Sequence, residues 1–307
     1  MDKNKWTSEA VSNAVLGNSQ HLEIVISNYF QAFIGRLGEY EISIQGIASI
    51  DQLHQKVLEG IEKLEPLRKD FISVIEMLAP SKHPYLKRYL PDFFERMLNF
   101  YEDAGINLYT GTTADVLRND HYRFFNQYLF VSLTSLLIEY RCFDALQALL
   151  GTKFKVYYKS FGMVREVNFM RFREYNYTLN EFLNTSLPKR ISVTADYIAK
   201  YSGGVEFPKL IRADILLYYI SLWNSTSEIL DPYWYPELSV YNREKHILPY
   251  MQSKKYFNEA KVLFGVNTVA QYKELLDNTE DRLQRGGLYR VPQIKTGLMY
   301  DTVGIED

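Results

Sequence analysis

The chain has 307 residues, 47% of them hydrophobic, and a formal charge of −2. That length and apolar content support a substantial core and exclude wholesale disorder. The near-neutral charge excludes a global basic field for nucleic acid or anionic membrane, though not a local basic patch.

The N-terminal stretch MDKNKWTSEAVSNAV lacks the apolar core of a signal peptide. A capping residue at Thr7 or Ser8 predicts a first short helix to about Leu16, stopped by Gly17. A longer helix follows from about Ser19 to Leu37, its apolar face marked by Leu22, Val25, Ile26, Tyr29, Phe30, Phe33 and Leu37. Glu41 to Gln45 alternates and reads as a short extended piece. Ser49 then opens an amphipathic helix through Val57, Leu58, Ile61 and Leu64, which Pro66 is expected to end or kink before Leu67 to Leu78 resumes it.

Pro80 and Pro84 bracket a loop, and Tyr85 to Ala104 reads as the next helix, with Pro91 tolerated near a first turn or at a kink. The strongest helical pattern runs from His121 to Leu150, with Gly151 as its stop. Its greasiest part, Tyr128 to Ile138, is too short to span a bilayer and carries Ser132, Thr134 and Ser135. Lys153 to Tyr158 alternates as a strand would, and Val164 to Val167 after Gly162 supplies a hairpin partner. Helices are expected again at Phe169–Leu183, Ser192–Tyr201 and Phe207–Trp223. A further helix starts with Pro249 in its first turn and ends at Gly265. Thr268 caps a last one that Gly286-Gly287 ends, and an extended tail follows.

The fold expected is therefore mainly α, a multi-helix globular domain with at most one small β-hairpin. A helical N-terminal subdomain (1–110), a helical C-terminal subdomain (111–287) and a tail (288–307) form one possible division, the seam lying at Gly105 to Asp120. A single compact domain explains the pattern equally well. No fixed-period repeat appears.

Motifs of chemistry are scarce. Cys142 is the only cysteine, so no internal disulfide can form, and its apolar surroundings favour a small buried hydrophobe over a reactive thiol. His21, His54, His83, His121 and His246 form no metal-ligand pair, and neither glycine pair has phosphate-loop spacing. No GxSxG is spelled. Helical ribonuclease toxins of the HEPN type need an Arg five positions before a His, and none of the five histidines has one. Arg118, His121 and Arg123 carry suitable residue types at the wrong spacing and stand as an enzymatic alternative, a nuclease or nucleotide-processing toxin. Arg165, Arg171 and Arg173, interleaved with Phe169 and Phe172, stand as a nucleic-acid alternative, with a helix of inward aromatics and outward arginines favoured over it. No metal and no cofactor are expected.

The aromatic block from Asp231 to Gly265 is the other dense feature. It sets Trp234 and several tyrosines beside Arg243, His246 and Lys254-Lys255. Rigid rings with polar anchors suit a contact surface, for which Trp234, Tyr235, Tyr241, His246, Tyr250, Lys254 and Lys255 are the candidates. A plug packed between helices is the favoured alternative, given 25 tyrosines in the chain.

Four segments carry a family resemblance: Leu64 to Ile72 (LEPLRKDFI), Arg190 to Ile198 (RISVTADYI), Tyr233 to Leu238 (YWYPEL) and Gln252 to Phe257 (QSKKYF), continuing to Val262–Val266. Their order resembles an uncharacterised bacterial helical module, similar to the C-terminal portion of antiviral defence proteins with TIR-type or SEFIR-type effector domains. Only some forty residues precede the matching part in this sequence, too few for a TIR fold. The resemblance implies a sensing or scaffolding half whose effector is a separately encoded protein. The function expected is non-catalytic recognition in a cytoplasmic antiphage system, through a protein partner, with homo-oligomers compatible and no membrane association. The tail from Leu288 is expected to dock on a partner edge.

Overall fold

The computed structural model describes residues 5–17, 20–102, 117–158, 162–185, 189–224, 233–279 and 290–306. Among these the helices are α1 (Ser8–Leu16), α2 (Leu22–Leu37), α3 (Ile50–Leu78), α4 (Pro84–Glu102), α5 (Asp120–Glu139) and α6 (Phe143–Gly151). A hairpin of β1 (Phe154–Tyr158) and β2 (Met163–Val167) follows, then α7 (Val193–Lys200), α8 (Phe207–Asn224), α9 (Lys254–Ala260), α10 (Val269–Asn278) and α11 (Ile294–Gly297). The protein is mainly α, with this two-stranded antiparallel sheet as its only sheet among the described residues. The register pairs Phe154 with Val167 and Tyr158 with Met163.

Helix α5 organises the rest. Every residue from Asp120 to Leu137 is buried, so this helix has no solvent face and must be enclosed on all sides. It packs against α3, α6 and α8. Its Phe130 stacks on Phe172, with ring centroids 4.6 Å apart, and leans on Trp234. The buried side chains make one cluster from Val11 to Val303, crossing the seam at which two subdomains were drawn. Residues 105–116 of that seam and Gly286-Gly287 lie outside the described residues.

Local chemistry explains most boundaries. Ser49 Oγ accepts the Gln52 amide at 3.2 Å while Gln52 Oε1 accepts the Ala48 amide at 2.8 Å, which starts α3. Thr268 and Gln271 repeat the exchange at α10, with Asn267 as the outer donor. Gly265, at φ 63, terminates the 3₁₀ turn Lys261–Phe264 after α9.

The structure departs from expectation at five places. Pro66 does not end the helix, since α3 continues through it to Leu78. The proline faces solvent, so the carbonyl it leaves unbonded can be hydrated, while Leu64, Leu67 and Arg68 on the inner side hold the helix. The single helix drawn from His121 to Leu150 is two. Arg141 adopts φ 55, Cys142 N donates to Leu137 O at 2.7 Å and Arg141 N to Ile138 O at 3.1 Å. These bonds form a Schellman closure with Arg where Gly is usual.

Phe169–Leu183 is not a regular helix. It is a 3₁₀ turn (Phe169–Phe172), an extended link and a π-helical turn (Thr178–Phe182), because Asn168 and Asp120 side chains take the amides of Met170 and Thr178. The helix drawn from Pro249 begins only at Lys254, where Ser253 caps it. The tail is not extended: it forms α11, buries Leu298 and Val303, and pairs Glu306 with Ser253 within the same chain. Glu41–Gln45 pairs with no strand among the described residues.

Candidate functional site

Several polar groups that suggest chemistry in the sequence are structural in place. His121 is buried and donates from Nε2 to the Tyr40 carbonyl at 3.0 Å. Burial pushes its imidazole down to about 4, so it is neutral through the physiological range. Arg123 bonds Asp120 at 2.7 Å and Glu174 at 2.8 Å, and Glu174 also pairs with Arg171 at 2.7 Å. Arg118, at the entry to this knot, is half-buried. The three residues therefore sit in or beside the core and line neither of the clefts described below.

The arginines proposed for nucleic acid are brought together only in part. Arg165 is exposed on β2, its guanidinium over the Tyr158 ring. Arg171 and Arg173 are neutralised by Glu174 and Glu237, each at 2.7 Å.

Three of the four segments of the family resemblance meet around α7, while the fourth, Gln252–Phe257 with Val262–Val266, packs on α6. Fully buried Arg68 forms two 2.8 Å bonds to Glu65 and reaches the carbonyls of Tyr201 and Gly203, closing the C-terminal end of α7. At the other end Ser192 Oγ accepts the Ala195 amide at 3.0 Å and donates to Glu237 at 2.6 Å. Trp234 donates from Nε1 to Asp214 at 2.7 Å, and Leu238 N donates to the other oxygen at 2.7 Å. Burial raises the Asp214 carboxyl to about 7 despite these two donors. Asp214 was not among the residues the sequence singled out, and nothing in the run DILLYYI distinguishes it.

The aromatic block divides between core and surface. Trp234 is 0% exposed, so it belongs to the core rather than to a contact surface. Tyr235 lies under the Arg173 guanidinium at 4.8 Å, and the Tyr241 hydroxyl is bonded to Asp196. His246 is exposed and donates from Nδ1 to the Thr296 carbonyl at 3.0 Å. Tyr250 is 63% exposed, and Lys254 and Lys255 are exposed at the start of α9. The Lys254 amide is taken by Glu306 O at 2.7 Å, so the tail docks on this chain's own edge.

Two clefts open around Arg141. The smaller, about 300 Å³, is lined by Ile138, Ile247, Leu248 and Pro249, by Glu139, Lys209 and Arg212, and by Tyr250 and Tyr256. Their rings lie 5.6 Å apart. The larger, about 700 Å³, is bordered by Lys82, His83, Lys87, Arg141, Glu259 and Lys261, together with the first turn of α6. Cys142 lines it, but its thiol donates to Ala79 O and burial raises it to about 11, far from a thiolate at neutral pH. No group of three His, Cys, Asp or Glu is placed to hold a metal ion among the described residues. No helix among them is long and apolar enough to cross a membrane. No family model, curated protein or solved structure matches the chain.

Proposed function

We propose that this chain is a non-catalytic recognition or scaffold protein that captures a separately encoded protein partner at the Tyr250 cleft. One observation carries this proposal. Tyr250 stands 63% exposed on a cleft lined by both apolar and charged side chains, whereas Asp120, His121, Arg123 and Asp214 are committed to buried contacts. A cleft that offers apolar area beside charged groups suits an inserted anchor side chain, and an exposed tyrosine supplies rigid area at little entropic cost. The family resemblance extends the proposal: the partner is an effector, and the chain is the sensor or assembly component of a bacterial antiphage system.

Co-purification with the product of the adjacent gene tests it. Tyr250→Ala combined with Lys254→Glu is expected to weaken capture by roughly tenfold or more at an unchanged melting temperature, the range of an interface hot spot. Capture indifferent to these changes would remove the cleft from the proposal. Turnover of RNA or NAD by the purified chain, lost in His121→Gln at unchanged stability, would replace the proposal with the enzymatic alternative.

A further inference from the structure

The larger cleft has a built electrostatic character that the partner surface does not use. Four cations, Lys82, Lys87, Arg141 and Lys261, border it against two carboxylates, Asp144 and Glu259. The chain as a whole carries −2, so the excess of positive charge is local. Its volume of about 700 Å³ lies in the usual range of small-molecule sites.

The two central cations are held in a costly way. Lys82 has φ 49 and Arg141 φ 55, a left-handed backbone that favours glycine. Both close helices in the same manner: His83 N donates to Leu78 O and Lys82 N to Ala79 O, matching the pattern at Arg141. Glycine would fit either position with less strain, yet a long cation occupies both. Non-glycine residues kept in this region gather at functional sites. Attraction to the helix C-terminal dipole offsets part of the cost, but it does not require both cations to face one cleft.

They also converge on one anionic group. Lys82 Nζ is 3.3 Å from one Glu259 oxygen and Arg141 Nη1 is 3.7 Å from the other. A carboxylate from α9 thus sits between cations from two separate turns, at distances looser than a tight charge-assisted bond. The first turn of α6, which no side chain caps, lines the same space and adds its positive end to the field.

We propose that this cleft binds a small molecule carrying two or more phosphate charges, with Lys82 and Arg141 as its principal contacts and Glu259 as the internal carboxylate that competes for them. The proposal goes beyond the partner surface and depends on a different set of side chains, Arg141 alone bordering both clefts.

Calorimetric titration of the full chain with pyrophosphate, and in parallel with ATP, tests it. Saturable binding at one site is expected. Lys82→Gly and Arg141→Gly should each weaken it by roughly tenfold while the melting temperature holds or rises, since glycine relieves the backbone. Glu259→Gln should strengthen it severalfold by freeing both cations. Equal affinity for the two probes identifies the phosphates as the recognised group, and tighter ATP binding identifies a nucleotide. If a glycine variant does not fold, the double change Lys87→Gln with Lys261→Gln should still weaken binding. No saturable binding in wild type and Glu259→Gln, or binding unchanged by removing Lys82 and Arg141, overturns the proposal. Tyr250→Ala should leave pyrophosphate binding intact, so the two proposals fail separately.

Discussion

Asp214 shows how one residue can link protonation to stability. Its carboxyl is fully enclosed, accepts from Trp234 and Leu238, and lies near Glu237 and Arg173. Burial outweighs the two donors and lifts it to about 7, above the ordinary carboxylate value of about 3.9. Between those values the folded state binds more protons than the unfolded chain, so stability falls as pH rises through that window and levels off above it. Buried His121, held down to about 4, contributes the opposite slope, so in thermal melts from pH 4 to pH 8 the wild type is expected to lose melting temperature relative to Asp214→Asn rather than in absolute terms. A wild-type curve rising to neutrality with the same shape as the variant's would show that Asp214 is ionised throughout. Nothing in the sequence marks this residue, because an isolated acid in an apolar run acquires its meaning only when Trp234 arrives from twenty positions away.

At the scale of elements, the crossing of α3 and α5 depends on a missing side chain. A β-carbon built on Gly60 would stand 3.0 Å from the His121 ring, which is buried and tied to Tyr40. Gly60→Ala gains about 1 kcal/mol of helix propensity, but overpacking a fixed ring costs about 1–3 kcal/mol. With the ring buried and tied to Tyr40, a net loss is expected, read as a melting temperature lower by roughly 2–5 °C. An unchanged or higher value would mean the two helices can separate slightly without penalty.

Element boundaries were legible in the sequence where the signal was local. Ser49 with Gln52 and Thr268 with Gln271 mark helix starts that the structure contains. The break after α5 was hidden because Arg141 stands where glycine would have announced it. Phe169–Leu183 misled for a tertiary reason, since its apolar spacing suits a helix but Asp120, far away in sequence, claims the Thr178 amide. The site divides likewise. Tyr250, Lys254 and Lys255 could be read as neighbours on one stretch, whereas Lys82, Arg141 and Glu259 meet only through the packing of α3, α5 and α9.

For the whole molecule, the decisive fact is a helix with no outer face. Eighteen consecutive residues of α5 are buried, while α1 at the periphery leaves Leu16 82% exposed. Peripheral helices can fray and re-form singly, but the amides of α5 meet solvent only when its neighbours have come away together. Native-state hydrogen exchange should therefore find α5 slowest, with a denaturant dependence equal to that of global unfolding, and α1 faster by orders of magnitude. A shallow denaturant dependence in α5 would reveal an opening route through the bundle. In this way the most hidden segment becomes the protein's own gauge of folding free energy: the exchange rate of its amides reports, without any added probe, how often the entire structure comes apart.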